Sequence, residues 1–265
     1  MQAIQYEFDN GVGVLTLNRP ARKNAIDQVM ATELQILLAD LAQQRDLRAL
    51  VITGAGGAFC AGGDISNMMS AAGNSETGRD RMRFNYLSWI ETILRLEVPV
   101  IAAVRGPAFG AGFSLALTAD MVLAEPGSRF CMSFVRLGLV PDCAAFYTLP
   151  RIVGIQRAKE LCFSGRELGP EEAHHLGIVT EITAIDGALD RAKQIAQCFA
   201  SASPSSLGLM KRALNVSLNT SLDAMIDIEA AAQGIARTSD WHAQAVARFL
   251  SKEPPMFQWP AKSQD

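Results

Sequence analysis

The chain of 265 residues reads as an α/β protein with parallel strand pairings. Two observations predict this. Apolar, β-branched runs recur along the first 125 residues, and segments of helical period alternate with them. Two of these runs end in glycine-rich turns, Phe59-Cys60-Ala61-Gly62-Gly63-Asp64-Ile65 and Arg105-Gly106-Pro107-Ala108-Phe109-Gly110-Ala111-Gly112.

Taken in order, Ile4–Phe8 alternates apolar and polar residues as a half-buried strand does. Asp9-Asn10-Gly11 turns the chain, and Val12–Leu17 returns as the second arm of a hairpin. A helix is expected over 27–44, with Val29, Met30, Leu34, Leu37, Leu38 and Leu41 on its apolar face. Strand Ala49–Thr53 leads into the first glycine turn. Ser70–Gly78 is small and polar and reads as loop. A helix through Phe84, Leu87, Ile90, Ile93 and Leu94 precedes strand Val98–Val104 and the second turn. A short helix over 112–118 and strands Asp120–Ala124 and Arg129–Cys131 follow. From Cys143 helical patterns dominate, with breaks expected at Pro150, Gly154, Gly165, Gly169-Pro170 and Gly177, and a strand at Ile178–Ile182. Helices are then expected over 188–200, 204–218, 222–238 and 240–250, the second capped by Ser203 with Pro204 at its first position.

Composition narrows the function classes. A hydrophobic content of 49% supports a large core, and a net charge of −3 argues against general nucleic-acid binding. Charged residues interrupt every apolar run before transmembrane length, and no basic-then-apolar leader opens the chain. The five cysteines are odd in number and widely spaced, and the three histidines show no ligand spacing, so neither a disulfide framework nor a metal site is expected. A cytoplasmic location fits reduced thiols.

Small residues after a strand let backbone approach a ligand, and the first N–H groups of a helix lack internal partners. Two such turns side by side can aim two N–H groups at one oxygen, as an oxyanion hole does. These turns, with Leu17-Asn18-Arg19-Pro20-Ala21-Arg22-Lys23-Asn24-Ala25 upstream, resemble the crotonase (enoyl-CoA hydratase/isomerase) superfamily over about residues 4–257. The resemblance implies a spiral of β-β-α turns over 1–200, and a C-terminal helical appendage over 201–265 that assembles homotrimers or homohexamers. It implies an acyl-CoA substrate that brings its own CoA, with no further cofactor.

By the same resemblance, Gly63 and Ala111 supply the oxyanion-hole N–H groups. Ser114 and Phe134 stand where hydratases carry two water-activating glutamates, so ordinary hydration is not expected. Asp142, in Leu137-Gly138-Leu139-Val140-Pro141-Asp142, matches the catalytic aspartate of a branch that isomerises ring-epoxidised phenylacetyl-CoA and shifts double bonds in enoyl-CoAs. From its own context Asp142 also reads as a helix N-cap. Glu91, Glu97 and Asp120 read as solvated helix ends or strand caps. Arg22, Lys23, Ala61 and Asp64 match the CoA-binding region, as do Phe249 and Lys252 near the C-terminus, which reach CoA often from a neighbouring subunit. The expectation is an acyl-CoA isomerase using Asp142 as acid/base. The alternatives are hydration, dehalogenation or thioester hydrolysis on the same scaffold, or a protein that binds acyl-CoA without turnover.

Overall fold

Alternation in the strand sequences decides how the layers stack. In the computed structural model, which describes residues 1–67 and 75–261, the hairpin strands β1 (Ile4–Asp9) and β2 (Val12–Leu17) pair antiparallel. Parallel to β2 follow β3 (Ala49–Gly54), β4 (Val100–Val104), β6 (Met121–Ala124) and β9 (Glu181–Ile182), giving a six-stranded sheet in the order β1-β2-β3-β4-β6-β9. One set of side chains, Leu15, Leu17, Leu50, Ile52, Val100, Ala102 and Val104, enters the larger core. The alternate set, Val12, Val14, Ala49, Val51, Ile101, Ala103 and Leu123, enters a second core closed by helix α8 (Ala188–Ala200). Because both faces are covered, β4 and the Ala49–Ile52 stretch of β3 are apolar, as buried parallel strands are, and the one polar side chain of β3, Thr53, donates to the Ala103 carbonyl.

A second sheet explains the spiral. It holds β5 (Pro107–Phe109), β7 (Arg129–Cys131) and β8 (Glu167–Leu168) in the order β5-β7-β8. Strand β4 bends at Arg105-Gly106 into β5 and then helix α4 (Ala111–Ala116); β6 likewise runs on into β7. Each turn therefore gives one strand to the large sheet, one to the small sheet, then a helix. Cys60, after β3, occupies the small-sheet position of its turn through a parallel bridge to Ala108.

The larger core is filled by α1 (Gln28–Leu41), which starts where the Asp27 carboxylate accepts the Met30 N–H at 2.8 Å, and by α3 (Ser88–Arg95). The segment Ser75–Asp80 (α2) and a wide π-type turn over Arg81–Tyr86 precede α3. Helices α5 (Ala145–Val153), α6 (Ile155–Ser164) and α7 (Pro170–His175) complete the spiral, and α9 (Pro204–Ser217), α10 (Leu222–Arg237) and α11 (Asp240–Leu250) end the chain. Ser203 caps α9 as expected, its hydroxyl accepting the Ser206 N–H.

Several sequence expectations are corrected. Val29 and Phe84 are exposed, and α1 stops at Leu41, where Ala42–Gln44 begin a turn. The helical face instead buries Trp89, which is 0% exposed. Pro150 does not break a helix: it lies inside α5, in the turn whose earlier residues Phe146 and Tyr147 face outward. Only Glu181 and Ile182 of the run 178–182 pair as strand, and Pro107–Phe109 is strand where a turn was read. Of the expected loop 70–78, Ser75–Gly78 is helical and the remainder lies outside the described residues.

The short edge strand β9 is pinned by charge. Arg191 of α8, whose side chain is 4% exposed, makes a two-pronged pair with Glu181 at 2.8 and 3.1 Å and donates to the Ala261 carbonyl. Replacing one partner strands the other in a dry site. Glu181→Leu is expected to lower unfolding free energy by about 3–5 kcal/mol in urea titration, and adding Arg191→Met to recover most of that loss.

Candidate functional site

Hydrogen bonds between the two glycine turns build a paired backbone surface. The Cys60 N–H donates to the Pro107 carbonyl at 3.0 Å, and the Phe109 N–H donates to the Cys60 carbonyl at 2.9 Å. Gly112 then packs directly on Cys60: a Cβ there would stand 2.3 Å from the Cys60 carbonyl oxygen, so only glycine fits. Gly110 enters α4 at φ 51°, ψ −123°, a conformation that a side chain would strain. Ala111 is the first residue of α4, so its N–H lies among those that a helix leaves without an internal acceptor. On the facing turn, the Ile26 N–H donates to the Gly62 carbonyl at 2.8 Å and the Asp64 N–H to the Ile26 carbonyl at 2.9 Å. That bridge does not use the Gly63 N–H, which has no partner among the described residues. The structure thus brings Gly63 and Ala111 to adjoining turns.

Phe134 and Ser133 cover the entrance of α4, beside the Cβ position of Gly110. Ser114 is fully buried and its hydroxyl donates to the Gly110 carbonyl at 3.2 Å. Neither Ser114 nor Phe134 offers a group to activate water.

Asp142 follows the turn that starts at Phe134, whose carbonyl accepts the Leu139 N–H at 3.0 Å. It does not cap α5. Cys143 and Ala144 both adopt left-handed backbone, at φ 50° and 64°, and α5 begins only at Ala145. Such residues cost about 1–3 kcal/mol each where they are not glycine. No side chain caps the start of α5, and one Asp142 carboxyl oxygen is buried without a partner among the described residues. Burial pushes the Asp142 carboxyl up to about 6, with the neighbouring Cys143 thiol and the Asp142 backbone N–H pulling partly the other way. Burial also raises the Cys60 thiol to about 12, and burial with the nearby Asp142 and Cys60 raises Cys143. Cys143, directly after Asp142, and Cys60, on the turn that carries Gly63, are buried in the same core cluster.

The expected CoA-binding residues separate into two groups. Arg22 and Lys23 are exposed at the end of a short helical turn, and the Lys23 carbonyl accepts the Ala61 N–H at 2.9 Å, so the structure brings them beside Ala61 and Asp64. Asp64, however, turns its carboxylate inward: its side chain is 8% exposed and bonded to Ser66 and Arg19. Phe249, 81% exposed, and Lys252 sit at the outer end of α11, where the bonds of residues 248–253 stay local. Sequence reasoning passed over Asn24 and Arg19 as chemistry. Asn24 is fully buried with φ 57°, accepts the Arg19 N–H, and donates to the Ala55 and Ala58 carbonyls. A left-handed asparagine inside the Asn18–Ala25 segment was the available signal.

Two measurements check this geometry. Because folding raises the Asp142 pKa from 3.8 to about 6, the folded state holds that proton longer than the unfolded chain. Its contribution to stability therefore falls as pH rises from about 4 to 6, by about 2–3 kcal/mol. Asp142→Asn is expected to be more stable than the parent at pH 8, the gain vanishing below pH 4, in pH-dependent thermal melts. Iodoacetamide at pH 8 is expected to spare Cys60 and Cys143 in the native protein and to reach them after unfolding.

Comparison with known proteins gives the family. Residues 7–260 match the family model described as Enoyl-CoA hydratase/isomerase. The chain is 36% identical over 259 residues to the 1,2-epoxyphenylacetyl-CoA isomerase of Escherichia coli K12, spanning 97% of this chain and 98% of that one. It is 35% identical over 255 residues to the probable enoyl-CoA hydratase of Rhodobacter capsulatus, spanning 96% and 97%. The crystal structure of an enoyl-CoA hydratase/isomerase from Cupriavidus metallidurans CH34 superposes with a TM-score of 0.92 at 43% identity, covering 99% of both chains. Among the described residues no helix is long and apolar enough to cross a membrane. With its spiral of β-β-α turns and its paired glycine turns, the chain belongs to the enoyl-CoA hydratase/isomerase family, the crotonase superfamily of acyl-CoA enzymes.

Proposed function

We propose that this enzyme isomerises a CoA thioester, shifting a double bond or rearranging a ring epoxide, with Asp142 as its acid/base. The observation that carries the reading is the half-buried Asp142 carboxyl, with one buried oxygen unpartnered among the described residues, in a site where Ser114 and Phe134 supply no second carboxylate. The similarity to a 1,2-epoxyphenylacetyl-CoA isomerase supports it, and the similarity to a probable hydratase makes hydration the competing outcome.

In this reading the thioester oxygen of a 3-enoyl-CoA lies between the N–H groups of Gly63 and Ala111. Ionised Asp142 takes a proton from the carbon beside the thioester. The negative charge moves onto the thioester oxygen as a dienolate, which the two N–H groups hold. Protonated Asp142 returns the proton two carbons further along, and the double bond comes into conjugation. Nothing is added or lost, so one carboxyl suffices. Each N–H contributes about 2.7–4 kcal/mol to the transition state. A carboxyl near 6 is a stronger base than a solvated one and is ionised at neutral pH.

CoA arrives with the substrate. Arg22 and Lys23 face its phosphates, and the backbone at Ala61 and Asp64 lies along its adenine. Residues 201–265 form an assembly region: Leu214, Leu218, Leu222, Ile226 and Leu250 are exposed, and α10 and α11 bury no residue within the chain. In a homotrimer or a homohexamer, Phe249 and Lys252 would reach the CoA of a neighbouring subunit.

A coupled assay with 3-hexenoyl-CoA and crotonyl-CoA tests the reaction. Isomerisation of the first is expected, with a rate that climbs through about pH 6 to a plateau and falls about 10²–10⁴-fold in Asp142→Asn. Strong hydration of crotonyl-CoA, kept in the variant, would contradict the assignment. Light scattering after size exclusion is expected to give three or six times the chain mass.

A further inference from the structure

Asp64 presents a problem that the proposed chemistry does not solve by itself. Its carboxylate belongs to the residue directly after Gly63, whose N–H is read as holding an anion. An unpaired negative charge there would oppose that anion. The Ser66 hydroxyl, at 2.6 Å, and the Arg19 guanidinium, at 2.9 Å, keep the Asp64 carboxyl below the usual carboxylate range, so it is ionised.

Arg19 answers the charge and also ties the turn down. Its guanidinium bridges Asp64 at 2.9 Å and Asp27 at 3.0 Å, and it donates to the Ala25 carbonyl. All three side chains are largely buried, which keeps the pairs from being screened as surface pairs are. Asp27 in turn caps α1. The Arg19 backbone is itself fixed, because its N–H donates to Asn24, whose amide is bolted to the Ala55 and Ala58 carbonyls. On either side of Gly63, Gly62 and Asp64 are hydrogen-bonded to Ile26. One planar cation thus joins the end of β2, the start of α1 and the turn that carries the oxyanion donor.

We infer that Arg19, through its bridge to Asp27 and Asp64, is a positioning residue for the oxyanion hole: it orients the Gly63 N–H and cancels the adjoining carboxylate charge. The inference rests on reading Gly63 as an oxyanion donor. Arg19 touches no substrate atom in this account, so its loss changes carbonyl polarisation without moving the titration of Asp142.

The test uses 4-dimethylaminocinnamoyl-CoA, a conjugated thioester whose absorption moves to the red when its carbonyl is polarised. Bound to the parent enzyme it is expected to show that red shift. Arg19→Gln is expected to lose most of it, Asp64→Ala, which unties the turn but also removes the opposing charge, to lose a smaller part, the double variant no more than Arg19→Gln, and Arg19→Lys to regain part. Turnover in Arg19→Gln is expected to fall about 10²-fold with an unchanged pH midpoint. Lys211→Met, which breaks the Lys211–Asp120 pair (2.6 Å) at the other ends of the strands, controls for general destabilisation and is expected to keep the shift. A full shift in both Arg19→Gln and Asp64→Ala overturns the inference, as does an equal loss in Lys211→Met. No shift in the parent enzyme overturns the oxyanion reading of Gly63 and, with it, this one.

Discussion

The two hydrogen bonds that Cys60 exchanges with Pro107 and Phe109 set the geometry on which the rest depends. They join consecutive turns of the spiral outside the main sheet, beyond the last β3–β4 register pair, Ile52 with Ala102. Gly112 is compressed against the Cys60 carbonyl by this contact, and the start of α4 is thereby fixed relative to the Gly62-Gly63 turn. A site made from backbone N–H groups has no rotamers to adjust, so its accuracy comes from such cross-links alone. The buried alternation of β3 and β4 supplies the rigid platform beneath them.

Charge is handled in two opposite ways around this platform. Asp64 is ionised, near Gly63, and matched by Arg19. Asp142 has one buried oxygen without a partner among the described residues, and burial raises its proton affinity. A matched carboxylate serves structure; an unmatched one costs stability at neutral pH, and left-handed Cys143 and Ala144 add to that cost. Strain and desolvation concentrated in one turn mark it as the place where the fold spends stability on chemistry.

Much of this was readable in the amino-acid order. The runs at 49–53 and 98–104 and the helix at 188–200 leave clear apolar patterns, and Ser203-Pro204 is a start signal that needs no tertiary help. The family likeness rested on the two glycine turns and the Leu17–Ala25 segment, and the roles read for Gly63, Ala111 and Asp142 came from that likeness. What escaped was set by long-range contacts. Trp89 is core because α3 packs on α1, which period alone does not say. Pro150 sits inside α5 because the turn it interrupts faces outward. The cap reading of Asp142 failed because two left-handed residues intervene before α5, and neither is a residue that advertises such a conformation. The work of Arg19 was hidden because its partners Asp27 and Asp64 are far from each other in sequence.

The central claim is that Asp142 removes a proton beside a thioester carbonyl held by the Gly63 and Ala111 N–H groups. Exchange of the α-protons of phenylacetyl-CoA in D₂O, followed by proton NMR, tests it most directly because it needs neither isomerisation nor hydration to occur. The account predicts rapid, enzyme-dependent exchange that rises with pH through about 6 and disappears in Asp142→Asn. Exchange at the parent rate in Asp142→Asn, or bound thioester with no exchange in the parent enzyme, would contradict it.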